Sequence, residues 1–333
     1  MIRVSAGVIR DRSGKILICR RGEGRKNAHL WEFPGGKREA GEDAAACLRR
    51  ELLEELSLPV SRLSLLCERE EGDILFSFLT GTTDVLPRLT EHEDARFVAP
   101  RQMLDYGFCP ADTPVARALA FREPPIRAVF WDFDGTLFDT YPMMTRALTG
   151  ACARLGATVL PEEALWLMKD SLSHALSILS ERHHLPLPLL SGTYHQEAAK
   201  TPPVKYPLMP GMREALTCLQ EAGCRHFLVT HRDRSALRAL AAAGLSSCFS
   251  GWVTEEDGFP RKPDPASVQH LLRTYALDPD TVCLVGDRPL DVQAAQAAGI
   301  VGCLFDPDRH FPGEGPLRIE TAAALPPLLL GQL

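Results

Sequence analysis

The sequence predicts two domains in series: an α+β domain over residues 1–122, then a doubly wound α/β domain over residues 126–320. Three observations carry this. The chain has 333 residues, whereas one domain usually takes ~100–200. The run Arg122-Glu123-Pro124-Pro125 sets two prolines behind a helix-like stretch, which stops the helix and stiffens a joint. Ahead of that joint strand-like segments outnumber helices, and behind it apolar runs alternate with helical patterns.

The first half opens with strand-like Arg3 to Arg10 and Lys15 to Arg20, joined by the turn-forming Asp11-Arg12-Ser13-Gly14, which predicts a hairpin. A Gly-rich loop, Pro34-Gly35-Gly36, leads to a helix from about Asp43 to Leu56. Further strands are expected at Leu63–Cys67, Ile74–Thr80 and Arg96–Val98, and a second helix from Thr113 to Phe121 closes the half. In the second half, apolar runs at Ala128–Trp131, His226–Val229, Val282–Val285 and Val301–Leu304 predict buried parallel strands. Helical patterns separate them at Met212–Ala222, Ser235–Ala243, Pro265–Tyr275 and Asp291–Ala298. The stretch from Tyr141 to Lys205 has no such strand and reads as a helical insertion.

Composition bounds the function. With 45% hydrophobic and 24% charged residues, the chain is neither disordered nor collagen-like. Its net charge of −6 comes from 37 basic and 43 acidic residues, without the basic excess of a nucleic-acid binder. The signs balance over residues 1–122, so the excess acid belongs to the second half. Ten cysteines lie scattered from Cys19 to Cys303 with no Cys-x-x-Cys pair, which predicts reduced thiols in a cytoplasmic protein. The first residues show no signal-peptide pattern, and no apolar stretch nears the ~20 residues of a membrane span. The expected partners are therefore small molecules, with no nucleic acid and no membrane. Oligomeric state stays open.

Glu51, Glu54 and Glu55 stand at i, i+3 and i+4 and share one face of the first helix. Leu48, Leu52 and Leu56 form another face, suited to the core. Such a carboxylate face is either solvated or a site for a hard cation. The Gly-rich loop favours the cation, because a backbone freed by glycines can approach a phosphate chain closely and Mg²⁺ takes oxygen ligands. Residues 36–58 resemble the Nudix box, Gly-x5-Glu-x7-Arg-Glu-aliphatic-x-Glu-Glu-x-Gly-aliphatic. Gly36, Glu42, Arg50, Glu51, Leu52, Glu54, Glu55 and Leu58 match, and Ser57 replaces the last glycine. The resemblance implies hydrolysis of a nucleoside diphosphate linked to another moiety, with Mg²⁺ or alternatively Mn²⁺. It casts Glu54 and Glu55 as metal ligands and Glu51 as a further ligand or the base that activates water. Arg50 would orient a glutamate, with Glu42 in support. Serine at a left-handed helix end costs ~1 kcal/mol.

The flanks narrow the resemblance. Leu30-Trp31-Glu32-Phe33-Pro34-Gly35-Gly36-Lys37 is similar to the entry of the box in MutT-type nucleoside triphosphate pyrophosphohydrolases, which adds Lys37 to the supporting set. Asp105 to Pro114 resembles their base-reading segment and implies that Asp112 hydrogen-bonds the base; Asp112 also suits a helix N-cap. Phe76 and Phe78 share one strand face and serve either a base or the core. Glu91 and Glu93 lie where that family supplies a further carboxylate, or belong to a solvated loop.

Asp132 and Asp134, in Asp132-Phe133-Asp134-Gly135-Thr136, sit just past a buried strand, where open α/β sheets place ligands. Thr230-His231-Arg232, Arg261-Lys262-Pro263 and Gly286-Asp287-Arg288-Pro289-Leu290-Asp291 follow. Together they resemble, in order and spacing, the four motifs of haloacid-dehalogenase-type (HAD) phosphatases, with a Rossmann-like fold. The resemblance implies Asp132 as nucleophile and Asp134 as acid and base. Mg²⁺ would be held by Asp132, the carbonyl of Asp134 and Asp287, with Asp291 in support. Thr230 and Lys262 would bind phosphate. The insertion, about 141–205, takes the place of that family's small cap. Its histidines His174, His183, His184 and His195 lack carboxylate or cysteine partners at metal-binding spacing and read as solvated. Asp139 reads as either a site residue or a turn cap. Tyr206 to Gly211 reads as a hinge.

The two resemblances together imply a bifunctional hydrolase for nucleotide-pool sanitation. The first domain would cut an altered nucleoside triphosphate, 8-oxo-dGTP-like, to monophosphate and pyrophosphate. The second would remove phosphate from a phosphomonoester, the resulting monophosphate included. The alternatives are an unrelated phosphomonoester, such as phosphoglycolate or a sugar phosphate, and a nucleotide-binding domain that regulates its neighbour.

Overall fold

A computed structural model describes residues 2–60, 62–122, 124–311 and 317–331. Glu123 of the joint lies outside the described residues. The chain divides into two compact units. One holds the described residues up to 125 together with 327–331, and the other holds 126–326. The last few residues thus leave the second unit, which proximity in sequence to Leu325 does not reveal.

The first unit is built on a seven-stranded mixed sheet of β1 (Ile2–Arg10), β2 (Ile16–Arg20), β3 (Trp31–Glu32), β4 (Gly35–Lys37), β5 (Leu63–Glu71), β6 (Ile74–Thr82) and β7 (Asp94–Val98). Its order is β3-β2-β1-β6-β5, with β4 paired to β1 and β7 to β2. Strands β1 and β6 run parallel. Helices α1 (Ala44–Leu56) and α2 (Thr113–Arg122) complete the unit. Alternation along β2 divides its side chains between two cores. Ile16 and Ile18 pack with Val115 and Leu119 of α2, whereas Leu17 and Cys19 pack with Leu48, Leu52 and Leu56 of α1. The leucine stripe thereby fixes which way α1 turns its glutamates. Phe78 is fully buried and Phe76 packs against the same cluster, so this pair serves the core. Strands β3 and β4 occupy a stretch that the sequence presents as loop, because two or three residues are too few to show a period.

Helix α1 ends at Ser57, whose φ is 50° and ψ 36°. The Ser57 and Leu58 amides donate to Leu53 O and Leu52 O at 3.1 and 3.0 Å, a Schellman-type end that glycine suits best. Ser57→Gly is expected to stabilise the first unit by about 1 kcal/mol, the left-handed penalty less the entropy glycine adds to the unfolded chain. Thermal melts check this, and an unchanged or lower Tm refutes it.

The second unit carries a six-stranded parallel sheet of β8 (Ala128–Trp131), β9 (Arg225–Val229), β10 (Phe249–Val253), β11 (Val282–Gly286), β12 (Val301–Phe305) and β13 (Arg318–Ile319). The order β10-β9-β8-β11-β12-β13 reverses direction between β8 and β11, the topological switch point of a doubly wound sheet. Strand β10, Phe-Ser-Gly-Trp-Val, has no continuous apolar run and alternates buried with exposed residues, so hydropathy alone misses it. Between β8 and β9 the chain forms α3 (Tyr141–Arg154), α4 (Pro161–Asp170), α5 (Leu172–Arg182), α6 (Leu187–Ala198) and α7 (Met212–Glu221). Helices α3 to α6 make up the insertion and share their own core, including Leu148, Leu179, Leu190 and Tyr194. Helices α8 (Ser235–Ala242), α9 (Ala266–Thr274) and α10 (Pro289–Ala297) lie between the later strands, and the division between the units falls within α11 (Leu325–Leu329). The two crossings to the insertion hydrogen-bond to each other: Asp139 N to Pro207 O at 2.9 Å and Met209 N to Leu137 O at 2.9 Å. Among the described residues, no helix is long and apolar enough to cross a membrane.

Candidate active sites

Helix α1 presents the first group of carboxylates, and Arg50 organises them. Its guanidinium donates to Glu42 at 2.9 and 3.1 Å, Glu51 at 2.8 Å, Glu54 at 3.1 Å and the Lys37 carbonyl at 3.1 Å. The Arg50 hydrogen bonds hold the Glu42 carboxyl down at about 2. Glu54 is exposed, while Glu55 is buried and its Oε2 has no hydrogen-bond partner. Burial pushes the Glu55 carboxyl up to about 7, with Glu51, Glu32 and Glu91 adding to the rise and His92 opposing it. His92 Nε2 lies 3.4 Å from Glu32 and 3.9 Å from Glu55. The sequence shows no signal for His92 beyond its place between Glu91 and Glu93. Those two are half exposed and ion-paired, Glu91 with Arg25 and Glu93 with Arg20 at 3.7 Å. A Cβ at Gly36 would fall 2.4 Å from the Glu51 carboxyl carbon, so only glycine lets that backbone lie against the carboxylate. A buried carboxylate oxygen without a partner, amid oxygen donors, fits a hard divalent cation. Arg50 and burial nevertheless spread these glutamates: among the described residues, none of their oxygens gather three together within 4.8 Å.

Asp112 starts α2, with Ala116 N donating to its carbonyl at 2.9 Å. Its side chain turns elsewhere: Phe33 N donates to Oδ1 at 3.0 Å. The N-cap position is therefore occupied, but the carboxyl ties α2 to the segment between β3 and β4. Burial pushes that carboxyl up to about 8, against the Phe33 hydrogen bond. An unfolded chain releases this proton at about pH 4, and the folded unit keeps it to about pH 8. The folded state binds more protons over that interval, so stability falls as pH rises through it. Asp112→Asn cannot ionise and is expected to lose less stability than wild type between about pH 5 and 8, by on the order of a few kcal/mol. Thermal melts across that range measure it, and parallel pH profiles contradict it.

The second group lies at the switch point. Asp132 follows β8 and Asp287 follows β11, and their carboxylates cluster with Asp291 within 4.8 Å. Asp132 Oδ2 and Asp287 Oδ1 are buried without hydrogen-bond partners. Three hard carboxylates with open lone pairs fit Mg²⁺ or Mn²⁺. Lys262 Nζ reaches Asp132 at 2.7 Å, Asp291 at 2.5 Å and the Val229 carbonyl at 3.1 Å. Burial pushes the Asp132 carboxyl up, and Lys262 opposes it. Thr230 is buried, and its Oγ1 accepts from Arg232 N at 3.1 Å. Asp291 stands in the first turn of α10 and accepts from Arg288 N at 3.1 Å. Gly135 has φ 71°, and a Cβ there would fall 2.4 Å from the Tyr141 ring and 2.6 Å from Asp287. Only glycine lets this turn close over the cluster.

Asp134 is turned into an ion pair. Arg232 donates to its carboxylate at 2.6, 3.1 and 3.2 Å, and Thr140 Oγ1 at 2.6 Å. Burial raises this carboxyl, but Arg232 and the hydrogen bonds outweigh it and hold it below the usual range. Arg232 follows Thr230 in the second motif but has no role in the sequence reading. Lys169 of α4 is likewise unmarked. It crosses from the insertion to Asp287 at 2.7 Å and lies 4.2 Å from the Tyr141 ring centre. His174 is partly exposed and lies 3.5 Å from Asp170, an i, i+4 carboxylate partner that corrects the reading of these histidines as lacking one; neither belongs to the carboxylate cluster of Asp132, Asp287 and Asp291. Asp139 is half buried, and Thr140 rather than Asp139 holds the N-cap position of α3.

A cavity of about 570 Å³ opens beside Asp132 and Asp134. Tyr206 lines it, which corrects the reading of that segment as hinge alone. The next residues do connect insertion and sheet, but the tyrosine lines the cavity and its hydroxyl accepts from Arg232 at 3.4 Å.

Comparison with known proteins agrees with this division. Residues 1–119 match the NUDIX domain, and residues 129–304 match the haloacid dehalogenase-like hydrolases. The phosphoglycolate phosphatase of Nitrosospira multiformis is 34% identical over 189 residues, covering 53% of this chain and 81% of its own. A MutT structure, from work on Aliivibrio salmonicida and Vibrio cholerae, is 30% identical and covers 36% of this chain and 96% of its own, with a TM-score of 0.34. A HAD hydrolase of Bacillus subtilis, solved bound to magnesium, is 18% identical with a TM-score of 0.51 and covers 62% of this chain and 99% of its own. That last likeness is one of fold. The match over half its length makes the chain a member of the haloacid dehalogenase-like hydrolases, with a NUDIX domain fused ahead of the hydrolase domain.

Proposed function

We propose that the protein is a bifunctional hydrolase that takes a nucleoside triphosphate, of the oxidised 8-oxo-dGTP type, to monophosphate and then to nucleoside. The observation that carries this reading is that one chain holds two separate acidic sites, each with a buried carboxylate oxygen left without a partner. Removing the monophosphate would stop its re-phosphorylation.

In the first domain, Glu51 takes a proton from the attacking water as the phosphoanhydride breaks, releasing monophosphate and pyrophosphate. Arg50 holds Glu51 in place. Glu54 and Glu55 would hold Mg²⁺, which when bound supplies positive charge to the phosphate chain. Asp112, protonated at neutral pH, can donate a hydrogen bond to a base acceptor while its other oxygen accepts from Phe33.

In the second domain, an Asp132 oxygen attacks phosphorus and the ester P–O bond breaks. Asp134 gives its proton to the leaving oxygen. Water then attacks the aspartyl phosphate, Asp134 takes a proton back, and phosphate leaves with Asp132 restored. Thr230 donates a hydrogen bond to a phosphoryl oxygen, and Lys262 offsets the negative charge that gathers there. Asp132, the Asp134 carbonyl and Asp287 would hold Mg²⁺, with Asp291 in support. Asp134 is paired with Arg232 and ionised before substrate enters, so binding has to separate that pair and Asp134 has to take up a proton from the entering monoester or from solvent before the acid can act. A second reading, phosphoglycolate as the phosphatase substrate, is favoured by the name of the 34% identical relative.

The test is product analysis with Mg²⁺ on a panel of normal and oxidised nucleoside triphosphates, resolving triphosphate, monophosphate and nucleoside. Successive appearance of monophosphate and nucleoside supports the reading. Monophosphate that persists as the end product refutes the sequence of reactions.

A further inference from the structure

Lys262 is gripped at both ends by the end of one strand. Its ammonium donates to the carbonyl of Val229, the last residue of β9, at 3.1 Å. Its main-chain N–H donates to Nε2 of His231, two residues further on, at 2.7 Å. Between these grips Nζ spans Asp132 at 2.7 Å and Asp291 at 2.5 Å, and the side chain is fully buried.

The main-chain grip matters because of the segment that carries the lysine. Residues 258–265 read Gly-Phe-Pro-Arg-Lys-Pro-Asp-Pro, and the prolines at 260, 263 and 265 have no N–H to fix it. Asp264 N donates within the segment, to Arg261 O at 3.1 Å, whereas Lys262 N donates out of it, to the imidazole. An ammonium drawn by two carboxylates alone would follow them as they move. Offsetting the charge that gathers on a phosphoryl group instead requires a cation fixed in advance.

The imidazole is suited to this task. Nε2 accepts from an N–H, so it carries the lone pair and the ring proton sits on Nδ1. Burial and the cations Lys262, Arg261 and Arg288 push the His231 imidazole down to about 2, so the acceptor survives at any working pH. The ring also lines the cavity beside Asp132, which leaves two chemically distinct uses for it: Nε2 toward Lys262, or Nδ1 toward a ligand.

We propose that His231 is a positioning residue of the phosphatase domain, acting through the hydrogen bond from the Lys262 main chain to Nε2. The proposal rests on the phosphatase reading of Asp132, and it assigns a role to a side chain that the second motif leaves without one.

The experiment measures p-nitrophenyl phosphate hydrolysis by the full chain with Mg²⁺, together with inhibition by orthovanadate and by inorganic phosphate. Glutamine sets an acceptor oxygen where Nε2 stands, and asparagine sets one where Nδ1 stands. His231→Ala is expected to lower kcat at least tenfold with KM within threefold of wild type. It should weaken orthovanadate, which adopts the geometry of the transferring phosphoryl group, more than inorganic phosphate. His231→Gln is expected to recover kcat to within threefold of wild type, and His231→Asn to stay with the alanine variant. Thermal melts of the glutamine and asparagine variants are expected to agree, so that their difference in rate reports the acceptor's place and not the fold. An unchanged kcat in His231→Ala, equal rates in the glutamine and asparagine variants, or recovery by asparagine alone would overturn the proposal. Absence of p-nitrophenyl phosphate hydrolysis in the wild-type chain would instead remove the phosphatase reading on which it rests.

Discussion

Asp132→Asn is expected to lower phosphate release from every phosphomonoester by on the order of 10³-fold or more, because the amide cannot serve as the attacking oxyanion. The substitution preserves shape and still offers one oxygen to Lys262, now 2.7 Å from Asp132. It leaves Lys262 with Asp291 as its charged partner at 2.5 Å, so the fold should survive. Triphosphate should still be cut to monophosphate, which then accumulates. Wild-type protein quenched in acid during turnover is expected to carry transient protein-bound phosphate that the variant lacks. Undiminished monoesterase activity in Asp132→Asn would exclude the nucleophile role. Loss of both activities together would point to misfolding, which a thermal melt separates.

Glu55→Gln is expected to reduce pyrophosphate release by roughly 10²-fold or more, at least the upper end of what altering a metal's outer partners costs. Phosphatase activity should remain. The burial that pushes the Glu55 carboxyl up to about 7 makes the neutral amide easy to accommodate there. Glutamate and glutamine also have similar helix propensity. The variant is therefore expected to melt no lower than wild type, which separates lost chemistry from lost structure. Normal pyrophosphate release from Glu55→Gln would exclude the buried carboxylate as a working ligand.

The sequence by itself determined the two-domain order and the class of each half. Those properties rest on patterns local in the chain: the spacing of apolar residues, paired prolines, and motifs whose members lie within one turn or one strand end. The stripe of Leu48, Leu52 and Leu56 was enough to set which face of α1 carries glutamates. Likewise, the aspartates of the second half could be placed at strand ends because buried parallel strands read as short apolar runs.

Only the tertiary structure decided the partners of those residues. Lys169 reaches Asp287 across 118 positions, and Arg232 reaches Asp134 across 98. Neither lysine nor arginine differs in sequence from a solvated surface cation. Asp112 is tied to Phe33 across 79 positions, and that burial, not its neighbours in the chain, sets its proton affinity. Tyr206 reads as part of a hinge until the fold sets it in the cavity's lining. The physical reason is common to all four: burial, charge pairing and pocket shape depend on which distant segments the sheet brings together, and a single sequence carries no spacing rule for that.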